Sequence, residues 1–423
     1  MELIARNGGE LTALLNKAKG GETISLPGGP FTGFNPWKQR FETPVTIAAL
    51  DPADPPIITA GRIAEVEGID LRGLLFQVPQ DADVSHAQAL YANRNKRLRF
   101  FECGVRGRKL VRESARTGLQ TEYRLGWGLR LDDCEDVTVA RCNFGALTMA
   151  LKPSRCKNVL VEDSDFIGNR SDAIQCAAVF GITIRRNLIS DFLPVDDDHP
   201  DGIQIFTTGQ GPSSDITIED NLIGGAGGYP QGIFISSEDG SWFERVAVQR
   251  NLLIGTMWNG ITFSSVRGGL IASNIVHPLP DRAGVVTTSW VRVGKAEDVL
   301  VRDNRAGQFL VEQAADVASS GNVVQRMGDQ AEADRLIAEW MATHRGGTPK
   351  QPETPVDESA QLRAENAALH ERVATLEGDV AAAEAAMIAA NKTVVVLNAA
   401  HAAELATVAA LKHRIDAAKT ALG

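Results

Sequence analysis

The sequence predicts an all-β solenoid followed by an α-helical coiled coil. A short strand-and-turn motif recurs between residues 137 and 304, which is the signature of a repeat architecture. The 423-residue chain contains 40 glycines and only 6% aromatic residues, a composition that suits many tight turns. Residues 360–423 carry an unbroken heptad pattern, which is typical of a coiled coil.

The recurring motif alternates apolar and polar residues and then ends at a small or polar one. Six copies read VTVARC, VLVEDS, ITIRRN, ITIEDN, VAVQRN and VLVRDN, and they end at Cys142, Ser164, Asn187, Asn221, Asn251 and Asn304. With a looser copy, LIASN, that ends at Asn274, they recur every 22–34 residues, and a second short strand such as DGIQI lies between them. Such a unit cannot bury its own apolar face, so the copies are expected to stack about 4.8 Å apart. The recurring asparagines then form an internal ladder.

This pattern resembles the right-handed parallel β-helix of the pectate-lyase-like superfamily, from about residue 3 to residue 327. The resemblance implies an N-terminal cap helix in residues 1–22 and a β-helix over residues 23–327. The segment LTALLNKAKGGETISLPGG is similar to the start of that family, where a short amphipathic helix covers the open end of the core. Gly20 and Gly21 are expected to end this helix.

Beyond the β-helix the strand pattern stops. The segment DQAEADRLIAEWMATHRGG predicts a capping helix over residues 328–347 at the second end of the β-helix. Residues 348–359 are a proline-rich linker, and residues 360–423 form the coiled-coil stalk. An exposed apolar stripe of this length predicts a homo-oligomer. Valine at one seam and leucine at the other favour a dimer, whereas the resemblance to β-helix spikes implies a trimer, which we prefer.

The overall charge and the cysteines narrow the class further. A net charge of −10 argues against a nucleic-acid-binding protein. No secretory signal is expected from MELIARNGGELTALLNK, and no run approaches the roughly 18 apolar residues of a membrane span. The five cysteines lack CxxC spacing and fit a protein made in a reducing cytoplasm. The basic segment 94–130 predicts either a surface for an anionic partner or ordinary surface charge.

The stretch LPVDDDHPDGIQIF, residues 193–206, is the strongest functional candidate. Strand alternation predicts that Ile203 and Ile205 point inward and Gln204 points outward. The equivalent outward positions in neighbouring coils are Arg130, Lys152, Gln175, Gln204, Phe234 and Thr262. Asp172 and Asp201 precede their strands on consecutive coils, and the loop 191–200, with His199, should overhang the same face.

Three kinds of chemistry are compatible with this surface. The family resemblance implies a polysaccharide lyase, with Lys152 as base, Arg130 as its partner, and Asp196 and Asp198 as Ca²⁺ ligands beside Asp201. A glycoside hydrolase would instead use two carboxylates, Asp172 and Asp201, with His199 nearby.

The surface could also bind sugar without cleaving it. The contacts would then come from amide and aromatic side chains, namely Gln175, Gln204, Phe234, Trp258 and Tyr229. A structural reading remains open beside all three, because Asp-Gly is a common turn and an acidic loop is commonly a solvated one.

The β-helix, the coiled coil and the absence of a secretory signal together resemble a bacteriophage tail spike or fibre. This predicts assembly in the host cytoplasm, residence in the virion, and binding of host-surface polysaccharide, with other virion proteins held through the coiled coil. Avidity from several copies would strengthen weak sugar contacts. The alternative is a polysaccharide lyase or glycoside hydrolase of the same fold that acts on an acidic glycan.

Overall fold

The computed structural model describes residues 3–80, 86–207, 209, 211–224, 230–280, 288–312, 316–346, 404–405, 407–409 and 411–412. The chain divides into two units, Met1–Pro349 and Lys350–Gly423. The predicted linker and coiled coil lie outside the described residues, apart from the short stretches within 404–412, which are helical. In the described part of the chain, no helix is long and apolar enough to cross a bilayer.

The first unit is a parallel β-helix in which successive coils add one strand to each of three sheets. Sheet A contains β1 (Leu3–Ile4), β2 (Thr23–Leu26), β4 (Arg40–Ala49), β7 (Glu67–Arg72), β10 (Lys96–Phe101), β15 (Glu135–Ala140), β18 (Lys157–Glu162), β21 (Phe180–Arg185), β24 (Ser213–Glu219), β27 (Phe243–Gln249), β30 (Val266–Ala272), β33 (Ala296–Arg302) and β36 (Val317–Ser320). Sheet B contains β3 (Gly29–Phe31), β5 (Pro56–Thr59), β8 (Leu75–Gln77), β11 (Gly104–Arg106), β16 (Asn143–Gly145), β19 (Asp165–Ile167), β22 (Leu188–Ser190), β25 (Leu222–Gly224), β28 (Leu252–Ile254), β31 (Ile275–His277), β34 (Arg305–Ala306) and β37 (Val323–Val324).

Sheet C contains β6 (Gly61–Ala64), β9 (Gln88–Asn93), β14 (Trp127–Asp132), β17 (Met149–Ser154), β20 (Ile174–Ala177), β23 (Asp201–Thr207), β26 (Gln231–Ser237), β29 (Asn259–Phe263), β32 (Trp290–Val293) and β35 (Gln308–Val311). Each coil runs from sheet C to sheet A to sheet B. An antiparallel hairpin, β12 (Arg108–Glu113) and β13 (Gln120–Leu125), is inserted between sheets B and C.

The predicted alternation along the strands is confirmed. Ile203 and Ile205 of β23 are fully buried, and Ile233 and Ile235 continue the same inward rows in β26. Aliphatic and aromatic side chains from the three sheets fill one continuous core. Each strand has one apolar face, because its side chains alternate from one side to the other. The chain buries all of these faces by turning them toward the inside of the coil.

The predicted asparagine ladder is also confirmed. Asn187, Asn221, Asn251 and Asn274 are 0–1% exposed at the bend between sheets A and B. Each donates from Nδ2 to Oδ1 of the next asparagine at 2.9–3.0 Å, and the row continues through Asn304 to Asn322. The same Oδ1 accepts the backbone N–H of the preceding asparagine, so these buried polar groups are satisfied.

A short helix, α1 (Gly8–Leu15), lies at the start of the β-helix. Asn7 caps it, because its side chain accepts the Glu10 backbone N–H at 3.0 Å. Leu11 and Leu15 are 1% exposed and belong to the same core as the first strands.

The second helix, α2 (Gln330–His344), does not cap the end of the β-helix, so this prediction is wrong. It packs along the outer face of sheet B, where its Trp340 joins an apolar cluster with Leu222 and Leu252. Trp340 Nε1 donates to the Asp220 carbonyl at 2.9 Å, and Arg345 Nη1 donates to the Asp163 carbonyl at 2.8 Å. The reason is that the outward positions of sheet B are themselves apolar there and need a cover.

Two further features follow from the strand register. The strand that follows β29 in sheet C begins at Trp290, which pairs with Asn259. The basic segment 94–130 does not form one surface, because its strands belong to all three sheets and to the β12–β13 hairpin. Several of its cations are paired, such as Arg99 with Asp70 at 2.6 Å.

We expect Asn221→Ala to destabilise the fold strongly. The change removes the acceptor of the Asn187 N–H and the amide that donates to the Ile184 carbonyl and to Asn251 Oδ1, at about 1–3 kcal/mol for each buried group left without a partner. The thermal unfolding midpoint followed by circular dichroism should fall by many degrees. Asn16→Ala, at an exposed helix end, is the control and should change it little. Equal midpoints for the two variants would contradict a structural role for the ladder.

Candidate functional site

The outer face of sheet C carries two files of functional side chains. The central file occupies the middle of each strand: Arg62, Tyr91, Arg130, Lys152, Gln175, Gln204, Phe234, Thr262 and Arg292. The leading file stands at or just before the start of each strand: Trp127, Met149, Asp172, Asp201, Gln231, Asn259 and Trp290. The predicted alignment of Arg130 through Thr262 is therefore confirmed by the strand register.

Asp172 and Asp201 form a buried carboxylate pair in the leading file. Asp172 is 6% exposed and Asp201 is 2% exposed. Asp172 Oδ1 accepts the backbone N–H of Asp201 at 3.0 Å, and Asp172 Oδ2 accepts Nε2 of Gln175 at 2.6 Å. Oδ1 of Asp201 is buried and has no hydrogen-bond partner among the described residues. An unpaired buried oxygen is costly, and a turn alone does not require one.

The two carboxylates differ in protonation. Burial, together with the charge of Asp172, raises the pKa of Asp201 to about 8. Burial also raises the pKa of Asp172, while its hydrogen bonds to the Asp201 backbone and to Gln175 oppose that rise. Asp201 is thus mainly protonated at neutral pH, and Asp172 is the member of the pair whose anion is stabilised by donors.

Gln175 connects the pair to the central file. Its Oε1 accepts Lys152 Nζ at 2.7 Å, and its Nε2 also donates to Gln204 Oε1 at 2.8 Å. Burial and the neighbouring charge of Arg130 lower the pKa of Lys152, which favours the neutral amine. Because Gln175 bonds directly to Asp172, a ligand that reaches this carboxylate has to displace the amide.

Aromatic rings surround the cations of the central file. Lys152 Nζ lies 5.1 Å from the ring centre of Trp127, and Arg130 lies 5.4 Å from that of Tyr91. Arg130 also pairs with Asp132 at 2.7 Å, but its Nε is buried and has no partner among the described residues. A ring face attracts a cation, so these contacts work against the loss of charge on Lys152 that burial favours.

The acidic loop 191–200 is held by protein donors. Asp196 accepts the hydroxyls of Ser114 and Tyr123, each at 2.6 Å, and both donors belong to the β12–β13 hairpin or its turn. These hydrogen bonds lower the pKa of Asp196. Asp198 receives both Nε and Nη2 of Arg170, at 2.6 and 3.0 Å. The loop is therefore neither a free solvated loop nor an open ligand cage.

The predicted Ca²⁺ site at Asp196 and Asp198 stays a prediction. In the described ranges, no group of three or more acidic, His or Cys side chains is arranged to hold a metal ion. A cation at Asp196 and Asp198 would have to displace Tyr123, Ser114 and Arg170 from these carboxylates.

The remaining predicted residues are spread along the face. His199 is exposed, two residues before Asp201. Phe234 lies in the central file between Gln204 and Thr262, and Trp258 is 45% exposed directly before β29. Tyr229 lies outside the described residues.

Sequence reasoning missed Asn259 and Trp290 as site residues. Asn259 Oδ1 accepts Trp290 Nε1 at 2.9 Å and Thr262 Oγ1 at 3.1 Å, and its amide donates to Gln231. The signal was a tryptophan at the head of an alternating strand, WVRV, but the register of that strand was not readable from spacing alone.

Comparisons with known proteins define the class of fold. Residues 123–276 match the family model described as the right handed beta helix region. The Dettilon tailspike protein is similar in structure, with 12% identity and a TM-score of 0.51, over 77% of this chain and 63% of that chain. The chain therefore spans less than two thirds of the tailspike.

Two further solved structures are similar at lower TM-scores. PfbA, a surface adhesin of Streptococcus pneumoniae, has 10% identity and a TM-score of 0.48, over 77% of this chain and 92% of that chain. DFA-IIIase from Arthrobacter chlorophenolicus A6 has 10% identity and a TM-score of 0.46, over 76% and 95%. Comparison with curated protein sequences gave no match. The protein is a right-handed parallel β-helix that resembles tailspikes in fold.

We expect Asp201→Asn to change how stability depends on pH. Because the folded-state pKa of Asp201 is raised, the folded protein binds this proton more tightly than the unfolded chain, and stability falls as pH rises from about 4 to 8. The variant should remove this fall and be more stable than the native chain at pH 8, on the order of 1–3 kcal/mol. Denaturant unfolding at pH 5 and pH 8 measures the difference. Asp298→Asn, at an exposed position of β33, is the control, and a parallel response in both variants would refute the assignment.

We expect Tyr123→Phe to loosen the acidic loop. The change removes the hydroxyl that bonds to Asp196 but keeps the buried ring, so the loop loses an anchor while the coil remains folded. Hydrogen–deuterium exchange of residues 193–199 should rise severalfold. Tyr91→Phe also removes a hydroxyl bond to a carboxylate, but on the strand face, and should leave this loop unchanged. An unaltered loop in Tyr123→Phe would show that the hairpin does not hold it.

Proposed function

We propose that this protein is a bacteriophage spike component that binds host-surface polysaccharide along the outer face of sheet C and hydrolyses it there. The observation that carries the enzymatic part is the buried Asp172–Asp201 pair, in which the raised pKa of Asp201 keeps its proton in place and Asp172 accepts hydrogen bonds from the Asp201 backbone and from Gln175. Glycoside hydrolysis needs such a pair, one member as acid and the other as nucleophile or base.

The residues divide the chemistry as follows. Asp201 donates its proton to the glycosidic oxygen, and the C–O bond to the leaving sugar breaks. A water molecule then forms the new C–O bond at the anomeric carbon and returns a proton to Asp201. Asp172 accepts the Asp201 backbone N–H and, before the sugar binds, the Gln175 amide. When Gln175 moves away, the Asp172 carboxylate faces the positive charge that develops on the sugar ring. The hydroxyls of the sugar replace the amide of Gln175. Gln204 and Phe234 lie next along the face and orient the chain of sugars.

A lyase is the second candidate, and one observation favours it. The lowered pKa of Lys152 supports a neutral amine that could take a proton from a uronate ring, with Arg130 one strand away. The products separate the two reactions, because a lyase leaves an unsaturated sugar that absorbs ultraviolet light, whereas a hydrolase leaves only new reducing ends.

The virion role belongs to the same proposal. It is supported by the similarity to a tailspike, which concerns the fold alone, and by the heptad pattern of residues 360–423. We propose that these residues join the chains into a homo-oligomer, a trimer in preference to a dimer, and contact other virion proteins. Several copies of one sugar-binding face then act together on the host surface.

We expect Asp201→Asn to abolish cleavage while binding remains. Loss of a general acid lowers a rate by about 10²–10⁴-fold, and the isosteric amide preserves the shape of the face. Purified protein is incubated with bacterial surface polysaccharides, and reducing ends, ultraviolet absorbance and retained glycan are measured. Asp220→Asn, on the bend between sheets A and B, serves as the control and should cleave normally. Cleavage that survives in Asp201→Asn but is lost in Lys152→Met would favour the lyase, and a protein that neither binds nor cleaves any glycan would refute the proposal.

A further inference from the structure

The outer face of sheet C is polarised along the coil axis. Before the carboxylate pair, the central file carries Arg130 on β14 and Lys152 on β17. After the pair, it carries Phe234 on β26 and Thr262 on β29, neither of which is charged. The next cation, Arg292, forms an ion pair with Glu312. The face therefore changes from cationic to neutral at the pair itself.

The cationic half of the face, Arg130 and Lys152, still has hydrogen-bond donors available for an anion. Lys152 Nζ donates to the amide oxygen of Gln175 and not to a carboxylate. Arg130 forms an ion pair with Asp132 through Nη2, whereas its Nε is buried and has no partner among the described residues. Two half-buried cations on adjacent strands, with rings beneath them, suit a carboxylate or other anionic substituent of a sugar.

The neutral half is built for the apolar face of a sugar ring. Asn259 accepts both the indole N–H of Trp290 and the hydroxyl of Thr262, so the Trp290 ring is held in one orientation. Nε1, the only polar atom of the Trp290 ring, is used in the hydrogen bond to Asn259, which leaves the ring surface for stacking against a sugar. Phe234 stands two strands before Trp290, and Trp258, whose carbonyl accepts the Trp290 backbone N–H at 2.8 Å, is exposed. Rigid aromatic rings with fixed polar neighbours are typical contacts of a ligand site.

We infer that the substrate is a heteropolysaccharide in which an acidic sugar adjoins a neutral one. The acidic sugar lies on Arg130 and Lys152, the neutral rings lie over Phe234 and Trp290, and the bond that is cleaved lies between them. The inference rests on the proposed function, because it assumes a glycan on this face. From β17 to β26 the chain of sugars crosses three strand spacings, roughly 14 Å at about 4.8 Å each.

The two halves exclude simpler polymers. A polymer of uronic acid alone would place carboxylates over Phe234 and Trp290, where no unpaired cation faces them among the described residues. A neutral polymer would cover Lys152, which donates to an amide oxygen and not to a carboxylate, without supplying an anion, and a desolvated cation without a charged partner is costly.

The experiment uses the full chain on a panel of purified bacterial polysaccharides of known composition, with polygalacturonate and a neutral glucan included. Each polysaccharide that binds is also tested after chemical reduction of its carboxyl groups. We expect binding only to acidic–neutral heteropolysaccharides, with affinity at least tenfold lower after reduction. Lys152→Met should lower affinity at least tenfold for the native glycan and little for the reduced one, whereas Trp290→Ala should lower both equally.

Lys17→Met and Phe180→Ala are the matched controls, because Lys17 follows α1 and Phe180 opens β21 of sheet A, both residues are exposed, and neither should change binding. Thermal unfolding of each variant confirms its fold. Three results would overturn the inference: binding of a polysaccharide built from one class of sugar, unchanged affinity after carboxyl reduction, or full binding by Trp290→Ala. If the protein still cleaved a glycan in such a case, the proposed function would stand. A chain that binds and cleaves no member of the panel would overturn both.

Discussion

The stacking of side-chain amides between sheets A and B is the constraint on which the rest of the structure depends. From Asn187 to Asn304, each buried asparagine bonds both to the backbone of the preceding coil and to the amide of the next. This fixes the distance and the register between coils at one bend. Because side-chain positions in a strand alternate with period 2, a fixed bend also fixes which residues face inward and which face outward in the sheets beside it.

The bend itself requires an unusual backbone, which the side chains help to stabilise. The residue before each ladder position adopts a left-handed conformation with φ of 50–56°, although most of these residues are not glycine. Their charges alternate from coil to coil through Glu102, Arg141, Asp163, Arg186, Asp220 and Arg250. Ion pairs at 2.8–3.1 Å join them across coils, such as Arg186 to Asp163. Each pair is weak by itself, but the row offsets some of the backbone strain.

The proposed site lies on sheet C, next to the two places where the chain varies in length. The β12–β13 hairpin and the loop 191–200 are both inserted between sheets B and C, and both therefore reach the edge where the leading file stands. A rigid scaffold with variable loops at one edge is a common basis for binding sites. The hairpin holds the loop through Tyr123 and Ser114, and the loop in turn leads directly into Asp201.

The sequence by itself determined the coil, because a repeat with apolar alternation and a recurring asparagine has one way to bury its apolar side chains. It also placed Lys152, Gln175 and Gln204 in one outward file. Only the tertiary structure decided what the loops contact, since Asp196 meets a hairpin that is distant in sequence, and Trp290 enters the leading file after a connection of unrelated length. The position of α2 on sheet B was likewise decided by an apolar surface that exists only after the coils have stacked. Local pattern specifies a strand, whereas contacts between distant insertions depend on loop geometry that periodicity does not encode.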